Sequence, residues 1–105
     1  MLRNSKREYI YVLKVVNRLL DENNWTEQDN NTVELHFKYL QNLLANDSLV
    51  LAGKTDGLDS KTFGIVILKA FTQEEANEIM KNDPAVKGKV MEAELFPYKI
   101  ALKCF

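Results

Sequence analysis

The sequence predicts an α+β domain in which one antiparallel sheet carries helices on one of its two faces. Three observations lead there. Four short apolar segments read as strands, two longer ones repeat at helical spacing, and they follow the order strand, helix, strand, strand, helix, strand. At 105 residues the chain holds one domain, residues 1–105, with 28% charged and 46% hydrophobic residues, a globular balance.

Glu8–Val16 is the first strand, with Tyr9, Tyr11, Leu13 and Val15 on one face and Ile10, Val12 and Val16 on the other. Asp21–Asn31 is polar and asparagine-rich and reads as a loop interrupted by Trp25. A helix follows, with Val33, Phe37, Leu40 and Leu44 at helical spacing and Leu43 beside them. Two caps compete for its start: Thr26 with Asp29, and Asn31 with Glu34. The second stands directly before the periodic run and is the expected one.

Ser48–Gly53 is a second strand, and the turn-prone pairs Asp56-Gly57 and Asp59-Ser60 suit a hairpin connection. Thr62–Ala70 is the third strand, with Phe63, Ile65 and Ile67 against Val66 and Leu68. Thr72 with Glu75 makes a capping box for a second helix running through Asn82, its inward face Ala76, Ile79 and Met80. Asp83-Pro84 ends it. The last strand runs from Lys89 to about Phe96, where Pro97 is expected to break the ladder before an extended tail, Tyr98–Leu102.

This order, β-α-β-β-α-β, is that of a ferredoxin-like sandwich, with the first and third strands central and both helices on one face. The first and third strands are nevertheless apolar on both faces. At about 25 cal/mol per Å² of apolar surface, leaving the second face wet would forgo several kcal/mol. Such a patch marks an interface, and the simplest cover is the same face of a second copy about a twofold axis. A homodimer through the open sheet face is therefore expected.

The net charge is −1 with no basic stripe, which argues against a nucleic-acid partner. The start, Met1–Leu20, carries Arg3, Lys6 and Arg7 before apolar residues. Lys14, Asn17 and Arg18 interrupt that run and no small-residue cleavage site follows, so it does not read as a signal peptide. No stretch is long enough to span a membrane. The single cysteine, Cys104, has no intramolecular partner, and the cytoplasm is the expected compartment.

No cofactor is expected. Gly53, Gly57 and Gly64 are too scattered for a phosphate loop, and one histidine among dispersed acids gives no metal-ligand spacing. Ser48 and Ser60 lack the context of a nucleophile. Tyr9, Tyr11 and Phe63 read as core or interface packing rather than as a base-stacking platform, because no basic residues lie between them.

Two residues are candidates for chemistry. His36, the one histidine, borders the apolar stripe of the first helix, either as a satisfied, partly buried ring or as a general acid or base. Asp83 before Pro84 is either an N-cap or that ring's partner. Topology favours the pairing. The first helix begins where the first strand finishes, and the second helix ends where the fourth strand begins, at the same end of the sheet. With a helix start near Asn31, His36 falls within the first two turns and Asp83 is its neighbour. A carboxylate on one ring nitrogen fixes the tautomer and strengthens the other nitrogen as a base.

The residues Leu35-His36-Phe37 with Tyr39-Leu40, Leu49 to Gly53, Phe63 to Ile67, Asn82-Asp83-Pro84-Ala85-Val86 and Glu92 to Tyr98 resemble the YCII-related (YciI-like) family over Tyr9 to Leu102. The resemblance implies a ferredoxin-like dimeric α/β barrel, with the helix histidine and the aspartate of the Asp-Pro motif, here His36 and Asp83, as its active-site pair. It further implies elimination chemistry on chlorinated hydroxylated aromatics in one branch. Two positions depart from the family pattern: Lys54 follows Gly53 where proline is usual, and Lys89 stands where the glycine after the Asp-Pro segment is usual. The reading that follows is a small enzyme using His36 and Asp83 for isomerisation or elimination on a small, cyclic or aromatic, acidic molecule of unknown identity. The alternatives are a non-catalytic metabolite-binding or regulatory module, and an interaction domain with an inert pocket.

Overall fold

The computed structural model describes residues 5–104; residues 1–4, part of the basic start that includes Arg3, and residue 105 lie outside the described residues. The elements are β1 (Arg7–Val15), two short 3-10 turns (Asn17–Leu20 and Glu22–Asn24), α1 (Glu27–Ala45), β2 (Leu49–Lys54), β3 (Gly64–Ala70), α2 (Gln73–Lys81), the one-turn α3 (Pro84–Lys87) and β4 (Met91–Tyr98). The sheet is antiparallel throughout in the order β2-β3-β1-β4, the ferredoxin-like arrangement the sequence predicts.

One face of the central strands makes the core. Tyr9, Tyr11 and Leu13 of β1 and Val66, Leu68 and Ala70 of β3 pack against Leu40 and Leu43 of α1 and Ala76 and Met80 of α2. The other face has no helix. Leu51, Ile67, Ile10 and Phe96 form a cross-strand row over all four strands, with Ile65 and Val12 in the row beside it. Ile67 at the centre of that row is 5% exposed, while Leu51 and Phe96 at its two ends are each 41% exposed.

The first helix starts earlier than its apolar periodicity suggests. Thr26 is the N-cap and Asp29 closes the capping box, so Asn31 lies inside the helix. The asparagines around position 30 have modest helix propensity, a matter of tenths of a kcal/mol. A long-range contact outweighs it. Arg18, in the first 3-10 turn, grips Asp29 through two hydrogen bonds of 2.9 and 2.7 Å. That pairing holds the Asp29 carboxyl well below the usual carboxylate range, chiefly through Arg18 and then through the Thr26 backbone. The expected loop Asp21–Asn31 is therefore the second 3-10 turn followed by the start of α1, and Trp25 ties it to the first turn by donating from Nε1 to the Leu19 carbonyl at 2.8 Å.

The last strand differs at both ends. It runs through Pro97, paired with Tyr9, to Tyr98. β4 is an edge strand with β1 as its one neighbour, so a residue without an N–H is tolerated there. It begins at Met91 rather than Lys89, because Lys89 and Val90 terminate α3. Lys89 takes the left-handed conformation at φ 60°, and the Val90 N–H returns to the Ala85 carbonyl at 3.0 Å. A left-handed residue past a helix end is ordinarily glycine, so the Lys89 Cβ carries a steric cost there. Gly88 just before it fits closely: a Cβ would stand 2.8 Å from the Pro84 carbonyl oxygen and 3.0 Å from Thr32 Cγ2. Through that contact α3 is seated against α1.

Candidate functional site

Three elements converge on one carboxylate. Asp83 precedes a proline and so takes an extended backbone, φ −60° and ψ 124°, which makes it the N-cap of α3. Its Oδ1 accepts from the Ala85 N–H at 3.0 Å and from His36 Nδ1 at 2.6 Å. Its Oδ2 accepts from the Tyr11 hydroxyl at 2.7 Å. The carboxylate is fully buried, and these three donors are what make a buried charge tolerable. The cap reading and the partner reading of Asp83 are thus both met geometrically, on one oxygen.

His36 reaches this carboxylate from the third turn of α1 rather than from its first two, because the helix begins at Glu27. The pair still meets because α3 packs along α1 instead of at its tip. The inward stripe of the helix is Asp29, His36, Leu40 and Leu43, whereas Phe37 and Leu44, expected in the periodic face, are 60% and 57% exposed. An ionised carboxylate only accepts, so in that pairing Nδ1 is the donor, and a ring that is neutral has its free lone pair on Nε2.

His36 borders a cavity of about 300 Å³ between α1 and the sheet. Leu13 and Val66 form part of its floor, Phe37 and Leu40 its helix side, and Leu58 and Phe63 of the β2–β3 connection its outer wall. Gly64 in β3 sits between Leu13 and Lys54 in the register and also lines the cavity, where a Cβ would stand 3.3 Å from the Gly53 carbonyl oxygen. A mostly apolar cleft with one titratable ring at its edge is the usual form of a small-molecule site.

Tyr11 is the member of this constellation that sequence reasoning assigned to packing. Burial pushes its phenol far above the ordinary value, with the charge of Asp83 and its hydrogen bond adding in the same sense. The signal was present: a tyrosine at the centre of a central strand must find a partner for its hydroxyl. Tyr39 lies nearby and donates to the Ile79 carbonyl at 2.7 Å, tying α1 to α2. Its phenol is also raised, first by burial and then by Asp83. Among the described residues no three His, Cys, Asp or Glu side chains are grouped to hold a metal ion, and no helix is long and apolar enough to cross a membrane. Cys104 is an exposed free thiol.

The chain matches the YCII-related domain over residues 10–99. No curated protein matches it. Among solved structures it is similar to 5-chloro-2-hydroxyhydroquinone dehydrochlorinase (TftG) from Burkholderia phenoliruptrix, in complex with 2,5-dihydroxybenzoquinone. The TM-score is 0.65 at 21% identity, over 88% of this chain and 93% of that one. It is also similar to an uncharacterised protein from Thermotoga maritima, at a TM-score of 0.51 and 11% identity, over 90% of this chain and 100% of that one. At these identities the likeness is one of fold.

Proposed function

The chain belongs to the YCII-related domain family, and on that premise we propose that it is a small enzyme in which His36 is the general base and acid and Asp83 orients it. The observation that carries this reading is the 2.6 Å contact from His36 Nδ1 to a fully buried carboxylate, at the edge of an apolar cavity. With Nδ1 so engaged, Nε2 takes a proton from the ligand. In an isomerisation the same nitrogen returns that proton to another atom. In an elimination the freed electron pair forms a double bond as the leaving group departs with its own pair. Proton transfer by a positioned side chain contributes typically about 10²–10⁴-fold. The substrate class is a small cyclic or aromatic molecule, in keeping with the cavity's size and lining and with the dehydrochlorinase among its structural neighbours.

The test is a panel of chlorinated and hydroxylated aromatics and small lactones, followed by chloride release and by proton exchange. Turnover of one class that falls at least about a hundredfold in His36→Ala fits general catalysis by that ring. Turnover that survives His36→Ala overturns the assignment. Ligand binding at His36 with no exchange or turnover throughout would favour a binding module instead.

We also propose a homodimer through the open sheet face. The support is the apolar row Leu51, Ile67, Ile10 and Phe96, continuous over four strands on the face without a helix, whose two ends Leu51 and Phe96 are each 41% exposed. Light scattering at micromolar concentration should give twice the 12.1 kDa chain mass, and a charge placed at Ile10 should halve it. A strictly monomeric native protein contradicts the proposal. A cytoplasmic location is part of the same reading, on the ground of a single unpaired thiol; recovery in an extracellular fraction would overturn it.

A further inference from the structure

The lysine that ends β2 lies at the cavity. Lys54 is the last residue of β2 and pairs with Gly64, which pairs in turn with Leu13 of β1. Leu13, Gly64 and Lys54 therefore form one cross-strand row, and Leu13 belongs to the core on the helix-covered side. The register puts the Lys54 side chain on that same face, where it lines the cavity, and the glycine between the two carries no side chain of its own. Lys14 borders the cavity too, but it alternates with Leu13 onto the opposite face, and its ammonium donates to the Ser60 carbonyl at 3.1 Å.

The charge around this space is one-sided. Among the described residues no carboxylate lines the cavity, and Asp83 stands behind the His36 ring rather than in it. The Lys54 ammonium donates to the Thr55 carbonyl at 2.8 Å. Among the described residues no carboxylate lies within ion-pair distance of it. A protein of net charge −1 thus presents a cation without a counter-ion at the mouth of an apolar pocket.

We propose that Lys54 is a specificity residue and that the cavity takes its ligand as a small planar organic anion, a carboxylate or a phenolate, whose charged end meets the Lys54 ammonium. This rests on the cavity being the site proposed above, and to the acidic ligand the sequence suggests it adds the residue that reads its charge. It also has a consequence for the chemistry. A proton removed by His36 leaves negative charge on a conjugated ligand, and conjugation carries part of that charge toward Lys54.

The test uses benzoate and its neutral isostere benzamide, followed by chemical shifts of the His36 ring in the native chain and in Lys54→Met and Lys54→Arg. Benzoate should bind about tenfold more tightly than benzamide, equivalent to about 1.4 kcal/mol. That preference should vanish in Lys54→Met through loss of benzoate affinity alone, and persist in Lys54→Arg. Raised salt should weaken benzoate binding and leave benzamide unchanged. Equal binding of the two probes to the native chain, or a benzoate preference that survives Lys54→Met, overturns the role of Lys54 while leaving the cavity as the site. If neither probe moves the His36 resonances, the reading of the cavity as the binding site fails, and Lys54's role with it.

Discussion

Replacing Tyr11 with phenylalanine removes one oxygen from the interior and almost no volume, which isolates its hydrogen bond to Asp83. The hydroxyl donates at 2.7 Å to Oδ2 of a carboxylate with no exposure to solvent, and among the described residues it is the one hydrogen bond on that oxygen. Hydrogen bonds to charged groups contribute about 1.5–3 kcal/mol, and the loss falls at that scale because no solvent reaches the orphaned oxygen. For a domain near this size a kcal/mol corresponds to about 4–8 °C in Tm, so Tyr11→Phe should lower Tm by roughly 10 °C. Urea unfolding at neutral pH, followed by circular dichroism, measures the change, with the m-value unaltered. The same variant has a signature in alkali. The Tyr11 phenol is raised above its ordinary value of 10 in the folded chain. Its contribution is therefore complete below about pH 10 and is lost progressively above it, where the unfolded chain ionises and the folded one does not. Tyr11→Phe should flatten that alkaline decline, leaving the smaller part due to Tyr39. A loss under about 0.5 kcal/mol at neutral pH, within the range of an ordinary surface substitution, would refute the claim that Tyr11 holds the buried carboxylate.

Other consequences follow from the helix ends. The Asp29 carboxyl is depressed below its ordinary value of 3.8, so its stabilisation is present above about pH 4 and disappears as acid protonates it. Asp29→Asn should therefore be less stable than the native chain at neutral pH and converge with it in acid, as read by thermal unfolding across pH. Lys89→Gly should stabilise by about 1 kcal/mol, since glycine takes the left-handed conformation without the Cβ penalty. Gly88→Ala should destabilise by at least about 1 kcal/mol, because its Cβ would press on the Pro84 carbonyl and Thr32. Chemical denaturation checks both, and a neutral Lys89→Gly would mean that the left-handed turn carries no strain.

What could be read from the sequence was whatever a local period encodes. The alternation of Tyr9, Tyr11 and Leu13 against Ile10 and Val12 specified both a strand and its second apolar face, and the order of elements specified the sheet. What could not be read was set by contacts distant in the chain. Arg18 reaching Asp29 moved the helix start to Thr26, against the asparagine-rich composition that reads as loop. Pro97 reads as a ladder breaker until β4 is known to be an edge strand. His36 and Asp83 were singled out by residue type, by topology and by family resemblance. Their contact, however, depends on α3 lying along α1, which no local pattern encodes. Tyr11, 72 positions from Asp83, was hidden because a buried tyrosine looks like packing until its hydroxyl has a partner.

The central claim is that Asp83 fixes His36 as a base facing the cavity, and the tautomer of the native ring tests it most directly. Long-range ¹H–¹⁵N NMR of the imidazole at a pH where the ring is neutral should place the proton on Nδ1, held in a short hydrogen bond, with Nε2 unprotonated. A proton on Nε2, or a ring exchanging freely between tautomers, would contradict it.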